Sequence, residues 1–174
     1  MTVWRDWVHI TCSARGQWLP GDARGFRDHG HRIHSSGTYR DPPPLHEHAG
    51  LRVHAAKINQ MVVAFTPAQR VTIGEAMLQK LAAMEFPVRI LAVAATHVHA
   101  LIRVGEQDAI PIFGRAKQLA SHRLRQELAG TIWGERSHPE RITCEGHYRN
   151  VVDYIGHHRL DGAWMWDRHA DSPA

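Results

Sequence analysis

The sequence predicts an α+β fold: an antiparallel sheet of four or five strands with helices packed on one face. Three observations carry that expectation. Apolar and polar residues alternate in "WVHITCSA" and again in "HVHALIRV", as they do in half-buried strands. Two segments beginning near Thr66 and Pro111 repeat apolar residues at helical spacing. The elements run strand, long excursion, strand, helix, strand, strand, helix, helix, with no internal repeat.

The first strand sets Val8, Ile10 and Cys12 on one side and His9, Thr11 and Ser13 on the other. From Gly16 to about Asn59 the text is rich in Gly, Pro, His and Arg and holds no sustained period. It reads as an irregular insertion after the first strand, with little regular structure. "MVVAF" reads as a short strand. In "TPAQ", Thr66 is placed to be an N-cap, Pro67 the first helical residue and Gln69 the closing member of a capping box. Ile73, Met77, Leu81 and Met84 then form an apolar stripe that ends before Pro87. "VRILAVAA" and "HVHALIRV" read as two strands or one long bent one. In "IPIFGRAKQLASHRLRQEL", Phe113, Ala116, Ala120 and Leu124 share the inner face of a helix. Gly130 to Pro139 reads as a turn, "GHYRNVVDYIGHH" as a third helix, and "LDGAWMWD" as a short aromatic tail.

Composition narrows the function classes. Of 174 residues, 43% are apolar and 22% charged, a soluble globular balance. A net charge of +4 leans mildly toward polyanions. Fifteen histidines favour metal binding or acid–base work. The two cysteines, Cys12 and Cys144, form neither a CxxC pair nor a disulfide ladder, which fits reduced thiols in a cytoplasmic protein. No apolar run approaches the roughly 20 residues that span a bilayer, so no membrane partner is expected.

His97 and His99 stand out in "AATHVHALIRV", because a buried strand needs no pair of imidazoles. Alternate strand residues project to one side, so both rings can converge on one divalent ion. Two ligands are not a complete site, and ordinary hydrogen-bonded strand histidines would read the same way. On the third helix, Tyr154 and His158 are one turn apart on one face. A phenol beside a ligand-type imidazole is what a metal-assisted tyrosine nucleophile needs, since tyrosine at its usual pKa near 10 must be activated to attack.

"HVHALIRV" resembles the His-hydrophobic-His strand of the single-tyrosine HUH transposases, the insertion-sequence 200/605-like and REP-associated tyrosine transposases. "VVDYIGHH" resembles their nucleophile helix, "RAKQLASHRLRQEL" their basic helix, and "WVHITCSARGQWLPGD" their opening strand. The resemblance implies a single ferredoxin-like HUH domain over residues 1–174, interrupted by the insertion at 16–59. It implies Tyr154 as nucleophile, His97, His99 and His158 as metal ligands, and Mg2+ or Mn2+ as the ion. The implied reaction cleaves and rejoins single-stranded DNA through a 5′-phosphotyrosine link and a free 3′-OH. Partners are then single-stranded or hairpin DNA, with a possible homodimer in which the tyrosine helix comes from the other chain. Arg103, Arg115, Lys117, Arg123 and Arg125 are the expected DNA contacts, through salt-dependent pairing with phosphates.

Within that resemblance His157 competes with His158 as the third ligand, and Tyr148 with Tyr154 as nucleophile. The insertion carries histidine clusters, "DHGHRIH" and "HEHAGLRVH", which read as a solvated loop with a zinc site as the alternative. "HEHAG" has Gly50 where an HExxH zincin needs histidine, so the metalloprotease pattern fails. Two other functions remain: a domesticated relative that holds DNA hairpins without cutting, and a small metallohydrolase that uses a metal-bound water.

Overall fold

The computed structural model describes residues 3–17, 27–28, 31–32, 44, 46–58 and 62–169. Two compact units make up the chain: residues 1–14 together with 64–174, and residues 15–63.

The larger unit is built on strand β1, Trp7–Ala14, whose residues alternate between half-buried and buried along its full length. The smaller unit holds a minimal ladder of β2, Arg27–Asp28, and β3, His31–Arg32, and helix α1, Ala49–Ile58. The excursion thus contains a helix that its sequence does not announce. Leu51 and Val53 are exposed and Ala55 is buried, so α1 has no continuous apolar stripe to read. Of the insertion's histidines, His29 and His34 lie outside the described residues.

In the larger unit, α2 spans Pro67–Ala83 behind the expected capping box: Gln69 N donates to Thr66 Oγ1 at 3.3 Å, and Thr66 N donates to Gln69 Oε1 at 3.0 Å. The following elements are β4, Val88–Val93; β5, His97–Arg103; α3, Ala109–Leu124; β6, Trp133–Arg141; α4, Glu145–His157; and β7, Trp164–Asp167. The five long strands form one sheet in the order β6-β1-β5-β4-β7, and every neighbouring pair is antiparallel. Strands β1, β4, β5 and β6 with α2 and α3 have the βαββαβ order and the strand arrangement of a ferredoxin-like core, and β7 extends the sheet beyond β4.

Two sequence expectations give way here, and the tail acquires an element. Residues 62–65 form no strand; they lead into α2, and Phe65 donates its N–H to Ala95 O at 2.7 Å while its ring meets Trp133 edge-on. The expected turn from Gly130 to Pro139 is mostly β6, an edge strand whose residues are largely exposed and polar, so it shows no apolar alternation. The aromatic tail is an edge strand too, β7, with Trp164 opposite Val93 and Trp166 opposite Leu91.

The helices divide between the two faces of the sheet. Val8, Ile10, Cys12, Ala14, Val98, Ala100 and Ile102 alternate onto one face, and α2 and α3 pack together over it. The Trp164 ring lies so close to Gly74 of α2 that a Cβ there would fall 1.9 Å from it. The opposite face carries His97, His99 and Leu101. Helix α4 covers part of it, burying Val151 and Ile155 against Ile90, Ala92, Leu101 and Ile142.

Candidate metal centre and tyrosine site

The site begins with β-strand geometry. In β5 the residues that alternate with the histidines, Val98 and Ala100, are fully buried on the α2–α3 side. His97 and His99 therefore stand together on the α4 side, with ring centroids 4.9 Å apart. Register with β1 places Thr11 opposite His99 and His9 opposite Leu101.

Helix α4 supplies the rest. Tyr148, Val151, Ile155 and His158 recur at three- and four-residue intervals, so the stripe that buries Val151 and Ile155 ends in His158 at the C-cap. The His158 ring stacks on His99 at 4.6 Å and meets His97 edge-on at 5.1 Å. Ligand nitrogens of His97, His99 and His158 lie within 4.8 Å of one another, the one such group of three among the described residues.

The Nδ1 atoms of the three rings have other polar neighbours. His97 Nδ1 is 2.9 Å from Thr96 Oγ1. His99 Nδ1 is 3.1 Å from both Thr11 Oγ1 and His9 Nε2. His158 Nδ1 is 3.8 Å from Asp161 Oδ2. That leaves His158 Nε2 buried with no hydrogen-bond partner. A buried polar atom without a partner costs about 1–3 kcal/mol, and a cation shared with the other two imidazoles removes that cost. The donor set therefore fits a divalent metal.

Electrostatics agree with that fit. Burial first, and then the imidazoles of His97, His158 and His9, push the His99 pKa down to about 2. Burial and His158 lower His97 against the opposing pull of Asp161. Burial lowers His158 against Asp161, with His157 adding to the lowering. All three rings are thus held in the neutral form, the one with a lone pair to give to a metal.

Tyr154 borders the same cluster. Its ring lies edge-on to His99 at 5.4 Å and to His158 at 5.3 Å, and the residue is 51% exposed. Tyr148 instead packs between Trp4 and Trp7, at 5.1 and 5.5 Å, where burial raises its pKa. His157 is exposed and turned back on its own helix, its Nδ1 2.6 Å from Asp153 O. One chain brings together His97, His99, His158 and Tyr154.

The expected DNA contacts are more scattered. Arg103 is on the histidine face and is bound to Asp6 at 2.7 Å. Arg115, Lys117, Arg123 and Arg125 belong to or cap α3, on the other side of the sheet. Lys117 reaches Ser137 at 3.3 Å, Arg123 bonds Gln79, and Arg115 and Arg125 are exposed.

His9 and Thr11 are the site neighbours that sequence reasoning passed over. Strand alternation already set both on one side of β1; the missing fact was that β1 pairs with β5 in a register opposing Thr11 and His99.

No protein-family model matches the sequence, and no curated protein matches it. The fold is similar to a solved REP-associated tyrosine transposase bound to a REP hairpin, with a TM-score of 0.50 over 90% of this chain and 67% of that chain, at 14% identity. At that identity the likeness is one of fold. Among the described residues no helix is long and apolar enough to cross a membrane.

Proposed function

We propose that this protein is a metal-dependent DNA strand transferase of the HUH single-tyrosine type, with Tyr154 as its nucleophile. The observation that carries the reading is the exposed Tyr154 ring, a little over 5 Å from both His99 and His158, beside a buried nitrogen of His158 that has no partner. The fold likeness to a transposase that binds a DNA hairpin supports it.

In this reading His97, His99 and His158 hold a divalent cation, which when bound polarises the scissile phosphate and offsets charge in the transition state. Three neutral imidazoles suit Mn2+ better than Mg2+, which prefers oxygen ligands. Tyr154 Oη gives up its proton and bonds to phosphorus. The bond from phosphorus to the 3′ oxygen breaks, and that oxygen takes a proton to leave as a 3′-OH. Attack by a 3′-OH on the phosphotyrosine reverses the step and rejoins a strand. Arg103, on the same face, neutralises a nearby phosphate, while Arg115, Lys117, Arg123 and Arg125 hold DNA away from the cleaved bond. One chain supplies all four central side chains, so a homodimer is not required for the chemistry. Residues 16–59 act as an insertion in one HUH domain.

The test is covalent capture. Full-length protein with Mn2+ and a single strand bearing a hairpin is expected to give an adduct that survives denaturation. Tyr154→Phe is expected to abolish it and Tyr148→Phe to keep it. Cleavage that persists in Tyr154→Phe overturns the tyrosine mechanism in favour of a metallohydrolase with a water nucleophile. Hairpin binding without any adduct in the wild type marks a non-cleaving relative.

A further inference from the structure

We infer that His9 is a positioning residue that fixes the orientation and protonation pattern of His99 and forms one wall of the Tyr154 site. It takes this role only if His99 and Tyr154 act as proposed above.

For His99 to face a cation through Nε2, that nitrogen must carry no proton, so the proton sits on Nδ1 and needs an acceptor. Two atoms stand at 3.1 Å from Nδ1: His9 Nε2 and Thr11 Oγ1. The Thr11 hydroxyl also lies 3.5 Å from His9 Nε2, which closes a triangle. Two arrangements that keep His99 Nε2 bare end the chain of donors at His9 Nε2. Either His99 Nδ1–H donates to it directly, or it donates to Thr11 and the Thr11 hydroxyl donates onward. His9 therefore stands where many metal sites place a carboxylate or a carbonyl behind a ligand histidine.

The same ring faces the nucleophile. His9 stacks on His99 with centroids 5.3 Å apart and meets Tyr154 edge-on at 6.0 Å. No other described side chain has ring contacts to both without being one of the three ligands. Its place is secured by β1, where Val8 and Ile10 on either side are fully buried beneath the sheet.

The test compares His9→Phe, which keeps a ring and loses the acceptor, with His9→Gln, whose amide oxygen can restore it. Mn2+ affinity is read from the spin-resonance signal of free Mn2+, without DNA. His9→Phe is expected to bind Mn2+ about 10- to 100-fold more weakly, and His9→Gln to stay within about threefold of wild type. Wild-type affinity in His9→Phe overturns the role of His9 and leaves the proposed function standing. A wild-type chain that binds no Mn2+ overturns the metal reading itself, and the His9 role with it. If His9→Phe does not fold, nitrogen NMR of wild-type His99 decides. A proton on Nδ1 with Nε2 bare supports the role, and a proton on Nε2 overturns it.

Discussion

Neighbouring residues of β5 serve opposite ends. Val98, Ala100 and Ile102 face α2 and α3 and are sealed completely, so that side of the strand does nothing but pack. His97, His99 and Leu101 face α4, which covers Leu101 and leaves the two imidazoles at its C-terminal end. A ferredoxin-like core needs only one face for its two long helices; the second is available for chemistry. The difference shows how a site is added without touching the main core: a helix of 13 residues buries a few apolar side chains and spends its last turn on Tyr154 and His158.

Cutting each side of β5 is the strongest way to break this contrast. Leu101→Ala and Ile102→Ala each remove a fully buried side chain and are each expected to cost about 2–5 kcal/mol in urea unfolding. Only Leu101→Ala, beneath α4, is expected also to weaken Mn2+ binding. Equal loss of Mn2+ affinity in both would show that the two faces are not separable.

Acid sharpens it next. His99 in the unfolded chain titrates near 6.5, whereas in the fold it stays neutral down to about pH 2. Between those values the unfolded state holds the extra proton, so the stabilising share of His99 is complete above pH 6.5 and is lost as the pH falls. The metal-free wild type is expected to lose up to about 1.4 kcal/mol per pH unit from this one group below pH 6. His99→Leu is expected to flatten that slope in urea titrations, and an unchanged slope would place the acid sensitivity elsewhere.

The packing face should give a smaller and purely structural effect. Thr66→Ala removes the cap of α2 and is expected to cost about 1 kcal/mol while leaving Mn2+ affinity untouched. Smallest of all is the exposed pair of Arg103 and Asp6: Arg103→Ala is expected to change stability by less than about 1 kcal/mol. On the proposed function, the same variant is expected to lower the log–log salt slope of DNA binding by about one, the share of a single phosphate contact.

Much of this was legible in the residues. Period-two alternation gave β1 and β5 their faces, and the capping box gave α2 its first residue. Tyr154 and His158 stood out because a single helical turn separates them. Edge strands β6 and β7 were not legible, since an exposed strand has no apolar alternation and a short aromatic tail is too brief to show a period. Nor was α4's position opposite α2 and α3, because periodicity reports that a helix has an apolar side but not which face of the sheet receives it. His9 was hidden for a related reason: its importance lies in strand pairing across some ninety residues, which no local pattern encodes.

The strand order also governs how this molecule reaches its native state. Strand β1 is written first yet lies inside the sheet, between β5 and β6. Until residues 97–103 and 133–141 exist and come back to it, its backbone has neither partner and its apolar side has no cover. Closing such long loops is slow compared with forming a helix, so the folding rate is set by topology more than by α2 or α3. The histidine and tyrosine cluster draws on β5 and α4 with β1 beside them, so it exists only where these three distant stretches of the chain have met.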